Sequence, residues 1–390
     1  MKVLRDFSVS SVAAGFVAVL VGLTSSVVIV FQAARAAGAT PEQTGSWLWA
    51  LGLGMGATTI GLSLRYKAPV LTAWSTPGAA LLITSVAGVT LQEATGAFVL
   101  TGLLIVAVGA TGVFERLIDR IPRALAAALL AGVLLRFALD GFAAAQTQPA
   151  LVLSMAGAYI VVRQLNPRYA VLSALAVGLL VTWAEGLFGP LNLPSGLTRP
   201  EWVTPHFSLS AAIGVALPLF VVTMASQNVP GVAALHAHGY RPPISPIVTT
   251  TGIATTLLAP FGGFTFNLAA ITASICLGRE AHPDPRRRYT ASVAAGVFYA
   301  IVGLFGAAVA GMLVTFPREL VVGIAGLALL GTIGNSLATA VRDERRHEAA
   351  LVTFVVTASG VTLLSIGSAF WGLAAGVVVA AVGRIGAPSV

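Results

Sequence analysis

The sequence predicts an all-α polytopic membrane protein of fourteen transmembrane segments. They form two inverted repeats of seven, with segments three and ten each broken into a short extended stretch and a half-helix. Three observations carry this. First, 57% of the 390 residues are hydrophobic and only 9% are charged, against about 25% charged in soluble domains, which excludes a soluble globular enzyme. Second, the charges gather in short intervals between apolar runs of roughly 15–27 residues, the length that spans a bilayer core. Third, Lys and Arg fall on alternate loops.

The first seven runs are 8–34, 46–64, 69–86, 94–113, 122–140, 149–162 and 169–188. The polar stretch GPLNLPSGLTRPEWVTPHF, Gly189 to Phe207, separates them from 208–234, 245–260, 262–278, 290–314, 319–340, 349–366 and 370–386. The first run is too long and continuous for a cleaved signal and lacks a small-residue cleavage site, so it counts as a span. With Met1 cytoplasmic, 18 of the 22 Lys and Arg residues lie on one side, leaving only Arg35, Arg136, Arg199 and Arg318 on the other. One missed helix would move every later loop across the membrane and erase this bias. Both termini are therefore expected in the cytoplasm.

Seven spans before one connecting loop force the second half to run inverted. The division is 1–188 for the first repeat, 189–207 for the loop and 208–390 for the second repeat. Inverted repeats are a secondary-transporter architecture, and paired broken segments at matching positions point to the binding site. Segment three reads YKAPVLTAWSTPGAALLITSV, Tyr66 to Val86, and segment ten reads FGGFTFNLAAITASICLG, Phe261 to Gly278. In segment three, Pro69 to Trp74 favours extended backbone. Ser75 or Thr76 then suits an N-cap, with Pro77 at the first helical position and Gly78 after it. In segment ten, Gly262 and Gly263 precede Phe264 and Phe266, and Asn267 is placed to cap a helix running to Leu277. Facing half-helix N-termini would aim several N–H groups at one spot suited to a carboxylate. A plain proline kink in segment three is the competing reading.

Segment eight adds FVVTMASQNVPGVAAL, in which Ser226, Gln227 and Asn228 are costly against lipid and so predict a cavity face. Interhelical hydrogen bonding is the alternative. Gln32, late in segment one, occupies the equivalent helix. Trp74, Phe264 and Phe266 would suit a flat apolar ligand, or ordinary core packing. None of the apolar runs of these central segments, 69–86 for segment three, contains Asp, Glu, Lys or Arg. Helix ends and amides can hold an organic anion without a formal counter-charge.

Other signals fall away. Gly52, Gly54 and Gly56 do not fit a dinucleotide loop; Gly52-xxx-Gly56 instead allows close helix approach. Lys2 and Lys67, the only lysines, are in no phosphate-loop context. His236 and His238 lack further ligands, so no metal or other cofactor is expected. The lone Cys276 permits no intramolecular disulfide. The scattered basic loops do not form a nucleic-acid patch.

The motifs TAWSTPGAALL (Thr72–Leu82), TMASQNVPG (Thr223–Gly231) and FGGFTFNLAAITASIC (Phe261–Cys276) closely resemble the benzoate:proton symporter family, BenE, and the similarity runs over essentially the whole chain. That family is related in fold to uracil/xanthine permeases and sulfate-type anion transporters. The resemblance implies a core domain from segments 1–4 and 8–11 (about 8–113 and 208–314). It implies a gate domain from segments 5–7 and 12–14 (about 122–188 and 319–386), with substrate held between segments three and ten. Nucleobase permeases carry acidic residues where this chain has Ser226 and Phe266, a departure that favours a carboxylate and removes an obvious proton carrier. The expected protein is a non-enzymatic importer of an aromatic carboxylate, benzoate above all, in symport with protons by alternating access in the bacterial inner membrane. A passive organic-anion channel or uniporter, a carrier of another small aromatic or nucleobase-like substrate, and a homodimeric assembly stay open.

Overall fold

Capping boxes open three of the long helices. Ser8 and Ser11 start α1 (Val9–Ala36), Thr40 and Gln43 start α2 (Pro41–Tyr66), and Thr90 and Glu93 start α4 (Leu91–Ala110). Each box satisfies orphan N–H groups at both of its ends. Here α3 is the half-helix Thr76–Ser85 between them. The boxes begin α2 and α4 a few residues before the apolar runs do, because polar cap residues carry the helix beyond its hydrophobic stretch. Glu93 is thereby a cap: its carboxylate accepts from the Thr90 N–H at 3.0 Å and hydroxyl at 2.9 Å. Those bonds, the backbone one foremost, hold its pKa below the usual value.

The computed structural model describes residues 6–86, 88–118, 121–189, 196–306, 315–361, 363 and 368–385. Lys2, Arg5 and Arg120, part of the connecting loop, and the ends of the eleventh and thirteenth apolar runs lie outside them. The first half continues with α5 (Val113–Ile118), α6 (Arg123–Ala143), α7 (Pro149–Leu165) and α8 (Ala170–Ala184). The second half holds α9 (Leu209–Ala237), α10 (Ile244–Leu258), α11 (Ile271–Leu277), α12 (Tyr289–Leu304), α13 (Arg318–Ala340), α14 (His347–Ala358) and α15 (Ser368–Ile385). Among the described residues, six helices are long and apolar enough to cross a membrane by themselves, and five shorter ones are similarly apolar. The protein is a multi-pass helical membrane protein.

Helix α9 contains two π-turns, Ala212–Ala216 and Met224–Asn228. Their cause is readable. Pro218 and Pro230 have no N–H to offer the carbonyls of Gly214 and Ser226 four residues back, and their rings crowd those carbonyls. The chain widens at each place.

Two short strands, β1 (Thr72–Trp74) and β2 (Phe266–Leu268), pair antiparallel with Ala73 opposite Asn267. Non-helical backbone at this depth survives only when its polar groups are satisfied internally, and side chains of α2, α9 and α10 do so. Thr59 Oγ1 accepts the Thr72 N–H at 3.0 Å, and the Ser63 hydroxyl donates to the Val70 carbonyl at 2.9 Å. Thr255 Oγ1 accepts the Phe266 N–H at 3.0 Å, and Asn228 Oδ1 accepts that of Leu268 at 2.9 Å. Around this cross, α2 packs on α12 and α4 on α10. The first contact is made by Gly52 and Gly56 lying directly on Gly303 and Gly296, as the GxxxG spacing predicts.

The start of α10 is capped from a distance. Its N-cap, Pro243, has no side chain to give, and the Glu115 carboxylate instead accepts the Ile244 and Ser245 N–H groups at 2.8 and 2.9 Å. Burial pushes the Glu115 carboxyl up, but hydrogen bonds from Ser245 and Ile244 outweigh it and leave it below the ordinary 4.5. A depressed folded pKa stabilises above the unfolded value and is lost as pH falls through the folded one. Glu115→Gln should cost about 1 kcal/mol near neutrality, after allowing for solvent screening. In a detergent melting series, that gap between wild type and variant should close below about pH 4.5.

Candidate substrate-binding site

Between the two half-helices lies a cavity of about 270 Å³. The break in segment three forms one wall. Ser75 caps α3 with its hydroxyl oxygen, accepting the Gly78 N–H at 3.0 Å, and Pro77 supplies no N–H. Trp74, Thr76 and Pro77 line the space. From the other half come Ala269, Ala270, Ile271 and Thr272, the entry to α11. No side chain caps that helix. Gln227, at the second π-turn of α9, lines it too.

The remaining walls come from residues that the sequence did not single out. Val21, Gly22 and Ser26 of α1, Met55 of α2 and Tyr299 of α12 enclose the space, with Phe137 from α6. The Trp74 indole N–H donates to Ser26 Oγ at 2.9 Å, and the Ser26 hydroxyl donates on to the Gly22 carbonyl at 2.8 Å. Tyr299 is 2% exposed. The Ser26 bonds fix the polar edge of Trp74, so its orientation is set before any ligand enters. Tyr299 was the one traceable signal, a hydroxyl deep in an otherwise apolar run. Ser26 and Met55 gave none.

Of the residues expected at the site, Trp74, Thr76, Pro77 and Gln227 are brought together on the cavity wall. Ser75 and Gly78 stand behind it, shaping the helix start. Asn228 is fully buried and turned toward β2, and Ser226 is half-buried outside the lining. Phe264 packs against Trp47 and Phe98, at ring separations of 5.8 and 6.2 Å. The Phe266 ring lies over Gly54 of α2. Asn267 does not cap α11; that position falls to Ala270, because Asn267 is held extended opposite Ala73. Its Nδ2 donates to the Leu268 carbonyl at 3.1 Å, and its Oδ1 is buried without a partner. Gln32 is exposed near the end of α1.

No Asp, Glu, Lys, Arg or His lines the cavity among the described residues. Hydroxyls and one amide supply its polarity, and the rest is apolar. Such a chamber can bind a small molecule with a flat apolar body and one polar end.

A pair of broken segments crossing within a helical bundle, with a small chamber between them, defines a membrane transporter. The solved structures agree at the level of fold. SLC26A9 superposes with a TM-score of 0.52 at 12% identity, covering 98% of this chain and 66% of that one. The transmembrane domain of the cyanobacterial bicarbonate transporter BicA gives 0.50 at 15% identity, covering 97% of both chains. In sequence, the chain is 50% identical over 375 residues to the inner membrane protein YdcO of Escherichia coli (strain K12), covering 96% of each. It is 39% identical over 372 residues to the benzoate membrane transport protein of Acinetobacter baylyi (strain ATCC 33305 / BD413 / ADP1), covering 95% of this chain and 94% of that one. Residues 5–382 match the BenE family, described as benzoate membrane transport protein, and the chain belongs to that family. It is a transporter of the inner membrane rather than an enzyme.

Proposed function

We propose that the protein imports an aromatic carboxylate, benzoate itself, in symport with a proton by alternating access. The observation that carries this is the chamber: about 270 Å³, apolar on most sides, without Asp, Glu, Lys, Arg or His among the described residues, and bordered by the uncapped start of α11. An apolar cavity of about 150 Å³ takes a benzene ring, so the chamber has room for the ring and a carboxylate beside it. A basic site would be wanted for an inorganic anion, and none lines it. The named function of the Acinetobacter baylyi relative supports the same substrate.

Proton coupling follows from energetics. An anion entering against an inside-negative potential works against about 2.3 kcal/mol per 100 mV. One proton cancels that charge, and each unit of inward pH gradient then supplies about 1.4 kcal/mol. With no Asp, Glu, Lys, Arg or His on the wall among the described residues, the substrate carboxyl is the group that carries the proton, accepted neutral or nearly so among Thr76, Gln227, Thr272 and Tyr299.

The fourteen-segment, 7+7 reading is part of this proposal. Its support is the pairing of contacts: α2 on α12 has its counterpart in α4 on α10, as exchange of inverted halves requires. Helices α1–α4 and α9–α12 would form the core domain, and α6–α8 with α13–α15 the gate, with both termini cytoplasmic and substrate released there. Gln227→Ala should raise the benzoate KM about tenfold, the scale of one hydrogen bond to a charged or polar ligand, with kcat and melting temperature nearly unchanged. Initial-rate uptake into proteoliposomes measures this; an unchanged KM would remove Gln227 from the site.

A further inference from the structure

We propose that Phe137 is the specificity-determining residue of the chamber, covering the aromatic body of the substrate and deciding which ring substituents are admitted. This rests on the aromatic-carboxylate reading above. The other lining residues all come from α1, α2, β1 and α3, α9, β2 and α11, and α12. Phe137 alone reaches in from α6, a helix packed mainly on α13 and α14. Its position on that helix is pinned. A Cβ on Gly326 of α13 would lie 3.2 Å from the Phe137 carbonyl oxygen and from the Gly141 Cα, so the two backbones touch and α6 cannot slide. Its neighbours face elsewhere: the Arg136 guanidinium lies against Gly360, and Ala138 lies against Gly326.

Chemistry separates Phe137 from the other two aromatic walls. Trp74 carries an indole N–H, which it donates to Ser26, and Tyr299 carries a hydroxyl. Phe137 has no polar edge, so it meets the ligand through ring contact alone and registers shape. In a mostly apolar chamber, one extra methylene changes discrimination by about 10–200-fold, so exchanging this ring should rewrite the substituent profile without altering the polar end.

The experiment compares inhibition of labelled benzoate uptake in proteoliposomes by benzoate, 4-methylbenzoate, 4-ethylbenzoate and 4-propylbenzoate. Wild type, Phe137→Ala, Phe137→Leu and Phe137→Trp are used. Phe137→Ala should weaken benzoate and improve 4-propylbenzoate relative to it by at least about tenfold, with Phe137→Leu intermediate and Phe137→Trp excluding the longer acids. The same acids' shifts of melting temperature in detergent give the profile for any variant too slow to assay. If every variant loses affinity for all four acids by one common factor, Phe137 is packing only and the inference is overturned. If wild type neither takes up nor is stabilised by any of the acids, the aromatic-carboxylate reading itself fails, and the inference with it.

Discussion

Gly52→Val is expected to abolish uptake and to lower the melting temperature, the largest effect of any single substitution considered. A Cβ at Gly52 would stand 2.5 Å from the Gly303 nitrogen, 2.6 Å from its Cα and 2.7 Å from the Tyr299 carbonyl oxygen. All three are backbone atoms, which cannot rotate aside as a side chain could. Overpacking typically costs about 1–3 kcal/mol and occasionally more, and relief here requires α2 and α12 to separate. Met55 and Tyr299 line the chamber from those two helices, so separation also displaces the site. Gly61→Ala is the control. It lies on the same helix with nothing within 4 Å of its Cβ position, and replacing a helical Gly there should be neutral or stabilising by up to about 1 kcal/mol. Detergent melting curves and uptake rates for both variants check the pair; a well-folded, active Gly52→Val protein would contradict the described α2–α12 contact.

Asn228→Ala should give a different phenotype from its neighbour Gln227→Ala. The Asn228 amide oxygen is the acceptor for the Leu268 N–H, and its Nδ2 lies 3.2 Å from the Met224 sulfur. Removing it orphans a buried donor, at about 1–3 kcal/mol, and frees β2 to shift against β1. The entry to α11 follows two residues after β2, so the wall formed by Ala270, Ile271 and Thr272 moves. The expected result is a lower melting temperature together with a fall in kcat. Gln227→Ala, by contrast, raises KM alone. Equal melting temperatures for wild type and Asn228→Ala would show that β2 is held in some other way.

The contrast between these two adjacent residues marks what sequence could and could not reveal. Segments three and ten were legible as breaks because Pro, Gly and hydroxyls interrupt apolar runs, and interruptions at membrane depth demand a reason. A helix start at Ser75-Thr76-Pro77 followed from local chemistry alone, but the choice of Ser75 over Thr76 as cap, which makes Thr76 and not Pro77 the first helical residue, did not. Which way a side chain points within segment ten did not follow either, because in a strand it depends on register with a partner far away in the chain, Ala73 opposite Asn267 being one such pair. Phe264, Phe266 and Asn267 were therefore expected at the ligand, whereas the first two fill helix contacts and the third sits in the strand. The hydroxyl ladder of Thr58, Thr59, Ser63 and Thr255 reads in sequence as scattered polar residues on helices; only the strands it holds give it meaning. Tyr299 and Phe137 reach the chamber from helices with no broken segment; the Tyr299 hydroxyl in its apolar run is a faint signal, and nothing in the neighbourhood of Phe137 announces it.

The most direct test of the central claim is uptake of labelled benzoate into proteoliposomes, with and without an inward proton gradient, after subtracting the flux into protein-free liposomes. Proton symport predicts protein-dependent accumulation above equilibrium that a protonophore abolishes. Protein-dependent flux that only equilibrates, whatever the gradient, would contradict it and make the protein a uniporter or channel.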